Sequence, residues 1–191
     1  GKPQAPIVVG TYAMGPQAGL GPAKIDAAGH ANGILILNCS HVTIKDLNIQ
    51  AEGGSAKTSG GEIADMRCGV LVKADQDGIY EGIQLNRICI ANVFYQDVGF
   101  RRGEEEVRTA NGTQSYGWGI RVINRTTGAL IKDVWIHDCQ VENVAHTGIK
   151  LTGRNRNIQA FRIENCQVRY TGGPGIQMSG VKDGRISQNL V

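Results

Sequence analysis

The chain has 191 residues, a formal net charge of +3 and 41% hydrophobic residues, with 27 glycines and only 5% aromatic residues. This composition excludes a disordered chain, which needs low hydrophobicity and high net charge, and the lack of a strict every-third-residue glycine period excludes collagen. No apolar run reaches the roughly 18 residues of a membrane-spanning helix, and the charge is too small for a nucleic-acid-binding surface. We therefore expect no membrane span and no nucleic-acid partner.

Short alternating segments recur along the chain, and each predicts a β-strand. The first type is a Gly-Ile/Val-x-apolar segment. It occurs at 33–36, 69–72, 119–122, 148–151 and 175–178. A second type follows, as in VTIKDLNI at 42–49, and a third is a turn signature that begins with Ile, as in IENC at 163–166. All three types are short, have period two and are rich in Val and Ile, as strands are.

These segments form a repeat. Residues 134–151 match residues 161–178 without a gap at an offset of 27, so that Ile149 falls on Ile176. Three short strands in such a repeat predict one turn of a parallel β-solenoid, in which each coil stacks on the previous one. We therefore predict an all-β chain of about five coils that forms a single domain over 1–191. Because neither end carries a cap, we expect this domain to be truncated at both ends.

Alternation along a strand sends successive side chains to opposite faces. Two inward columns are predicted from the motif positions. They are Ile34, Val70, Ile120, Ile149 and Ile176 in one column, and Ile90, Ile136, Ile163 and Ile186 in the other. The residue after each member of the first column then faces outward. This outward column is Leu35, Leu71, Arg121, Lys150 and Gln177.

The Gly-Ile-x-Leu strand, the V-x-I strand and the I-x-Asn turn together resemble the right-handed parallel β-helix repeat of the pectin-lyase-like superfamily. The opening PIVVGTYAMG, followed by ILILNCSHVTIKDLNI, is similar to bacterial β-helix proteins associated with polysaccharide degradation. The resemblance implies a right-handed parallel β-helix, a secreted or periplasmic bacterial protein, and a polysaccharide or oligosaccharide substrate. The rival architecture, a leucine-rich repeat, needs a denser leucine frame than this sequence has.

Two long insertions, 51–68 and 96–118, fall at one corner, between the turn signature and the next Gly-Ile-x-apolar strand. Long loops on a rigid scaffold are where binding and catalysis concentrate. In the enzymes that the chain resembles, such loops and the adjacent sheet face form the substrate groove. The alternative is that both insertions are decoration without function.

Arg121 and Lys150 are predicted neighbours on the face beside that groove. Two stacked cations favour an anionic ligand and lower the pKa of the lysine. They fit a polysaccharide lyase, in which Lys150 removes the proton next to a uronate carboxylate and Arg121 neutralises that carboxylate. The alternative is an exposed basic pair neutralised by acids of the 96–118 insertion. Gln177 extends the column as a substrate-binding residue, and His146 at the same rim is a candidate acid or base.

The 96–118 insertion holds the densest charge cluster of the chain, and this cluster decides between lyase and hydrolase. Arg101 and Arg102 are candidate substrate-binding residues. Four carboxylates are candidate Ca²⁺ ligands, or else the catalytic pair of a glycoside hydrolase. They are Asp97, Glu104, Glu105 and Glu106. The alternative is a solvated loop face.

Tyr116 and Trp118, at the end of the same insertion, are candidate sugar-stacking residues, with loop packing as the alternative. Together these features predict an enzyme that cleaves glycosidic bonds in an acidic polysaccharide by β-elimination, with Ca²⁺ as the candidate cofactor. A glycoside hydrolase on the same scaffold is the alternative. A non-catalytic carbohydrate-binding or adhesin β-helix is the second alternative, because one scaffold hosts all three functions.

Overall fold

The computed structural model describes residues 1–12, 21–28, 30–52, 58–59, 62–63, 67–94 and 117–191. Within these ranges the chain is all β, as predicted, and contains no helix that is long and apolar enough to cross a membrane. The strands are β1 (Ile7–Gly10), β2 (Ala23–Asp26), β3 (Asn32–Leu37), β4 (Val42–Glu52), β5 (Thr58–Ser59), β6 (Glu62–Ile63), β7 (Cys68–Ala74), β8 (Gly78–Phe94), β9 (Trp118–Asn124), β10 (Ala129–His137), β11 (Gln140–Val144), β12 (Ile149–Gly153), β13 (Ile158–Gln159), β14 (Arg162–Glu164), β15 (Gln167–Thr171), β16 (Ile176–Ser179), β17 (Val181–Lys182) and β18 (Arg185–Ser187).

Most of the described strands belong to two parallel sheets. The larger sheet follows the order β1-β4-β8-β10-β13-β17, with β2, β11, β14, β15 and β18 pairing beside this path. The smaller sheet has the order β16-β12-β9-β7-β3. In addition, β5 and β6 form a short antiparallel pair. The smaller sheet is the one that positions the candidate site.

The register of the smaller sheet is the one that the repeated motif predicts. Ile149 pairs with Ile176 on one side and with Ile120 on the other. Val70 in turn pairs with Ile34 and Ile120. This inward column is thus confirmed, and its middle members, Val70, Ile120 and Ile149, are fully buried. Burying one such side chain contributes about 1.5–3 kcal/mol, so the stacked column is a major source of folding free energy.

Each residue of this column follows a glycine, and at two of these glycines the backbone lies too close to neighbouring atoms for a side chain to fit. A Cβ atom on Gly119 would lie 2.3 Å from Cγ1 of Val141 and 2.6 Å from the carbonyl oxygen of Gly148. A Cβ atom on Gly148 would lie 2.3 Å from Cγ1 of Val168. These distances are too short for any side chain, which explains why the motif begins with glycine.

The second inward column is wrong in one member. Ile90 pairs with Val141 and not with Ile136, whereas the other three members pair as predicted. The error arises because two different corners use the same kind of turn. Asn92 (φ 58°) follows Ile90 at one corner, and Asp138 (φ 55°) follows Ile136 at the other. Asn and Asp tolerate this left-handed conformation better than most residues, so both corners select the same Ile-x-Asn/Asp sequence.

An exposed series of charged and polar side chains runs along the second of these corners. This corner ladder consists of Asp46, Arg87, Asp138 and Asn165, which all have positive φ and follow residues that pair in register. Arg87 donates from Nε and Nη2 to the two carboxylate oxygens of Asp46, at 2.7 and 3.0 Å. Asn165 donates from Nδ2 to the carboxylate of Asp138. Each charged member of the corner ladder therefore has a polar partner.

Candidate functional site

The candidate site lies on the outer face of the smaller sheet, where β9, β12 and β16 run side by side. Ile120 and Ile149 are buried in the core. Because side chains alternate along a strand, Arg121 and Lys150 point to the opposite face. Lys150 pairs in register with Arg121 on one side and with Gln177 on the other. Neighbouring strands are about 4.8 Å apart, so these three residues of the predicted outward column are adjacent.

Arg121 and Lys150 are both buried, with only 3% and 6% of their surface exposed. Among the residues that the structure describes, neither forms an ion pair with a carboxylate. The alternative predicted that this basic pair is exposed, and that part of it is wrong. The acids of the 96–118 insertion, which that alternative places beside the pair, lie outside the described residues. Buried cations for which no carboxylate is at hand are costly.

The pKa values of the two cations reflect this environment. Burial, together with the nearby charges of Arg121 and Arg125, lowers the pKa of Lys150 to about 8. Burial likewise lowers the pKa of Arg121 to about 10, and Arg125 acts in the same direction. The predicted lowering of the lysine pKa is confirmed, with burial rather than the neighbouring arginine as its largest cause. An anion bound beside both groups would favour their charged forms.

Trp118 packs against Arg121. The indole is fully buried, and Cζ of Arg121 lies 4.4 Å from the ring centroid, in a cation–π contact. Cys68 and Leu71 belong to the same buried apolar cluster as the indole. This geometry differs from the open sugar-stacking platform that the sequence predicts, because the ring has no exposed face. Its role in the structure is to support the guanidinium group.

His146 lies on the same side of the sheet and contacts the indole. The centroids of the His146 and Trp118 rings are 5.3 Å apart, and Nδ1 of His146 lies 2.7 Å from Oγ1 of Thr147. Both His146 and Thr147 are buried. The structure thus places His146 against the residue that supports Arg121, and its role as an acid or base stays a prediction.

Four buried polar atoms on this face have no hydrogen-bond partner in the part of the chain that the structure describes. They are Nε1 of Trp118, Nε of Arg121, Oγ1 of Thr152 and Oε1 of Gln177. Roughly 90% or more of buried polar groups in folded proteins are hydrogen-bonded, so four such atoms on one face require an explanation. We call the five residues Trp118, Arg121, Lys150, Thr152 and Gln177 the cationic face.

Thr152 is the member of the cationic face that the sequence analysis missed. It pairs in register with Ile123 of β9 and with Ser179 of β16. The signal that finds it is spacing, because a residue two positions after Lys150 on a strand points to the same face.

Seven predicted site residues lie outside the described residues. They are Asp97, Arg101, Arg102, Glu104, Glu105, Glu106 and Tyr116. Within the described ranges, no group of three or more His, Cys, Asp or Glu residues is arranged to hold a metal ion. The cationic face itself carries two cations and no carboxylate, so it does not fit Ca²⁺, which takes oxygen ligands and often carboxylates. The Ca²⁺ site therefore stays a prediction for the 96–118 insertion alone.

Fold and site together define an all-β chain of mainly parallel sheets, in which two buried cations lie side by side on the outer face of one sheet. The native crystal structure of GH136 lacto-N-biosidase from Eubacterium ramulus is similar to it, with a TM-score of 0.53 and 16% identity over 99% of this chain and 42% of that chain. The selenomethionine derivative of that lacto-N-biosidase gives a TM-score of 0.47 and 14% identity, over 96% of this chain and 46% of the other.

This chain therefore spans less than half the length of the chains that it matches. At such low identity the similarity shows a shared fold alone. Neither a known protein-family model nor a curated protein sequence matches the chain.

Proposed function

We propose that this chain is part of a carbohydrate-active protein that binds an acidic oligosaccharide or polysaccharide on the cationic face and hydrolyses its glycosidic bonds. The observation that carries the proposal is the adjacent, buried pair of cations, Arg121 and Lys150, for which the described residues supply no carboxylate. The proposal includes a secreted or periplasmic bacterial location, which the resemblance to polysaccharide-degrading β-helix proteins implies.

Within this proposal the fold is a right-handed parallel β-helix of about five coils, like the repeat of the pectin-lyase-like superfamily. Parallel pairing at the offset of the repeated motif supports it, since Ile149 pairs with Ile176 and Ile136 pairs with Ile163. The similarity to the native lacto-N-biosidase structure, with a TM-score of 0.53, supports the same architecture.

An acidic ligand would resolve the electrostatic conflict on the cationic face. At roughly 5 Å and an effective dielectric constant of about 20, two unit positive charges repel each other by about 3 kcal/mol. A carboxylate or sulfate held between Arg121 and Lys150 adds two attractions, which offset this repulsion. Oligosaccharides that contain uronate or sulfate groups carry such an anion beside many hydroxyl groups. They are therefore the ligand class that fits this surface best.

Hydrolysis is the proposed reaction because the fold resemblance is to a protein named as a GH136 lacto-N-biosidase. Glycoside hydrolysis requires a pair of carboxylic groups on either side of the scissile bond. The cationic face supplies neither of them. In this proposal they come from Asp97, Glu104, Glu105 and Glu106, and the cationic face holds an acidic sugar in a neighbouring subsite.

β-Elimination is the second candidate, and one observation favours it. The lowered pKa of Lys150, about 8, lets a fraction of the amine act as a base near neutral pH. In that reaction Lys150 takes the proton next to a uronate carboxylate, and Arg121 stabilises the negative charge that develops on the carboxylate.

The test incubates the full-length protein with pectate, alginate, glycosaminoglycans and neutral oligosaccharides, and follows reducing ends and the ultraviolet absorbance of unsaturated uronate in parallel. The proposal predicts new reducing ends from an acidic substrate without new absorbance. Reducing ends that appear together with absorbance would establish the lyase instead. Binding without either signal would leave a non-catalytic binding protein.

Matched variants connect the reaction to the cationic face. The double variant Arg121→Met/Lys150→Met should lose turnover of the acidic substrate. Lys132→Met is the control, because Lys132 lies on the larger sheet and pairs with Glu81 at 2.7 Å. Equal turnover by the double variant and the control would remove the cationic face from the proposed function.

A further inference from the structure

We propose that Gln177 and Thr152 make the cationic face selective for acidic sugars that carry a hydrogen-bond donor, a hydroxyl or an amide N–H, beside the anionic group. This inference rests on the proposed function, because it concerns the same surface. It adds a requirement that charge alone does not impose. An anion without a neighbouring donor would satisfy the cations but not these two residues.

Burial decreases across the cationic face from β9 to β16. Trp118 and Arg121 on β9 are buried, and so is Lys150 on β12. Gln177 on β16 is half-buried, and Ser179 on the same strand is exposed. A ligand that reaches Lys150 and Arg121 from the β16 side therefore passes over Gln177. The order of the strands then determines which part of the ligand contacts Gln177 and which part contacts the two cations.

The members of the cationic face also differ in hydrogen-bonding character, because the two cations donate whereas the oxygen atoms of Gln177 and Thr152 accept. Arg121 and Lys150 can only donate hydrogen bonds, so they require acceptor atoms on the ligand. Oε1 of Gln177 can only accept, and Oγ1 of Thr152 can accept while it also donates. Both oxygen atoms are buried and have no partner among the described residues. The ligand that satisfies all of these groups presents acceptors to Arg121 on β9 and Lys150 on β12, and donors to Thr152 on β12 and Gln177 on β16.

The spacing of these groups suits a single sugar residue. Lys150 and Gln177 are register partners on neighbouring strands, about 4.8 Å apart. Thr152 lies on the same strand face as Lys150, two residues or roughly 7 Å further along. A pyranose ring with a carboxylate on one carbon and a hydroxyl on a nearby carbon spans distances of this order.

The test is a thermodynamic cycle between protein and ligand. Isothermal titration calorimetry measures binding of one acidic oligosaccharide and its set of mono-deoxy analogues to the wild type, Gln177→Met, Thr152→Val and the double variant. Leaving a buried acceptor unpaired costs about 1–3 kcal/mol, so at least one deoxy analogue should bind the wild type about 5-fold to 100-fold more weakly than the parent. In the double variant this difference should shrink to about 2-fold or less.

A control variant and two contrary outcomes complete the test. Gln159→Met changes a half-buried glutamine on the larger sheet, whose Nε2 donates to the backbone oxygen of Arg156, and it should keep the full wild-type discrimination. If the parent ligand binds through Arg121 and Lys150, but every analogue binds as tightly as the parent, the selectivity is wrong and the proposed function stands. If the wild type binds no acidic oligosaccharide at all, the proposed function and this inference both fail.

Discussion

Two stacks of charged residues run across neighbouring strands of this molecule, and they are built in opposite ways. In the corner ladder, Arg87 is exposed and donates two hydrogen bonds to Asp46. On the cationic face, Arg121 and Lys150 are buried, and no described carboxylate pairs with either. The first arrangement satisfies its own charges within the folded chain. In the second, the described residues supply no opposite charge, and the proposed function assigns that part to a bound anion.

This contrast separates a structural use of charge from a functional one. An exposed, paired ladder costs little to form and contributes little, because water screens each interaction. A buried, unpaired pair of like charges lowers stability, and proteins keep such costs mainly at functional sites. The predictions below therefore change one stack at a time and compare the effects on binding and on stability.

The largest effect is expected on ligand binding. The double variant Arg121→Met/Lys150→Met should bind acidic oligosaccharides at least about 100-fold more weakly than the wild type, because it loses both charge contacts to the anion. Arg87→Met, which breaks the corner ladder, should change the affinity by less than about 2-fold. Titration calorimetry with the same ligand measures both. Comparable losses in the two variants would mean that binding depends on overall charge and not on the cationic face.

Removing a cation from the cationic face is expected to weaken ligand binding but to increase the stability of the fold. Lys150→Met replaces a buried, unpaired ammonium with an apolar chain of similar length, so the free energy of unfolding should rise by about 2 kcal/mol at pH 7. Arg87→Met removes an exposed ion pair and should lower the free energy of unfolding only slightly, because water screens that pair. Urea denaturation provides the measurement. A destabilised Lys150→Met variant would show that the ammonium has a partner that stabilises it.

The pH dependence of stability follows from the pKa of Lys150. The folded chain loses this proton near pH 8, whereas the unfolded chain keeps it until about pH 10.5. Stability increases with pH wherever the unfolded state binds more protons, so the free energy of unfolding should rise by about 3 kcal/mol across this interval. Well below pH 8, Lys150 is protonated in both states and adds no pH dependence to the free energy of unfolding. Denaturation curves should show this rise in the wild type and in the control Lys132→Met, but not in Lys150→Met. If Lys150→Met shows the same rise, a group other than Lys150 causes it.

The smallest effect is expected in the corner ladder itself. The hydrogen bonds from Arg87 hold the pKa of Asp46 below its ordinary value. The stabilisation is therefore present above about pH 4 and is lost as the pH falls through the lowered pKa. Asp46→Asn should lower the free energy of unfolding by about 0.5 kcal/mol at pH 7 and by almost nothing near pH 2. An equal loss at both pH values would point to packing instead of charge.

Much of the fold could be predicted because its signals are local. Alternation and the glycine motif gave the column of Ile120 and Ile149 and therefore the adjacency of Arg121 and Lys150, which is the core of the candidate site. The placement of Ile90 failed because two corners select the same turn residues. In that case local sequence carries no information about which corner is which.

The burial of the cationic face could not be predicted in the same way. Alternation says only that Arg121 and Lys150 leave the core, and an outward side chain on a strand is usually exposed. For Trp118, two residues before the inward Ile120, alternation predicts the core face instead, so its packing against Arg121 is a departure from the pattern. Whether an outer face is covered depends on contacts between segments far apart in sequence. Thr152 was within reach of the sequence, since it follows Lys150 by two residues, but a lone threonine carries no chemical signal until its hydroxyl is seen to be buried and unpaired.

The most direct test of the cationic face compares one acidic oligosaccharide with the same oligosaccharide after its carboxylates have been reduced to alcohols. The two ligands differ only at the carboxylate positions, where reduction removes the negative charge, and titration calorimetry on the wild-type protein measures the affinity of each. If the cationic face binds an anion through Arg121 and Lys150, the acidic form should bind at least about 100-fold more tightly, and this ratio should fall to near one in Arg121→Met/Lys150→Met. Equal affinities of the wild type for the two forms would contradict the central claim.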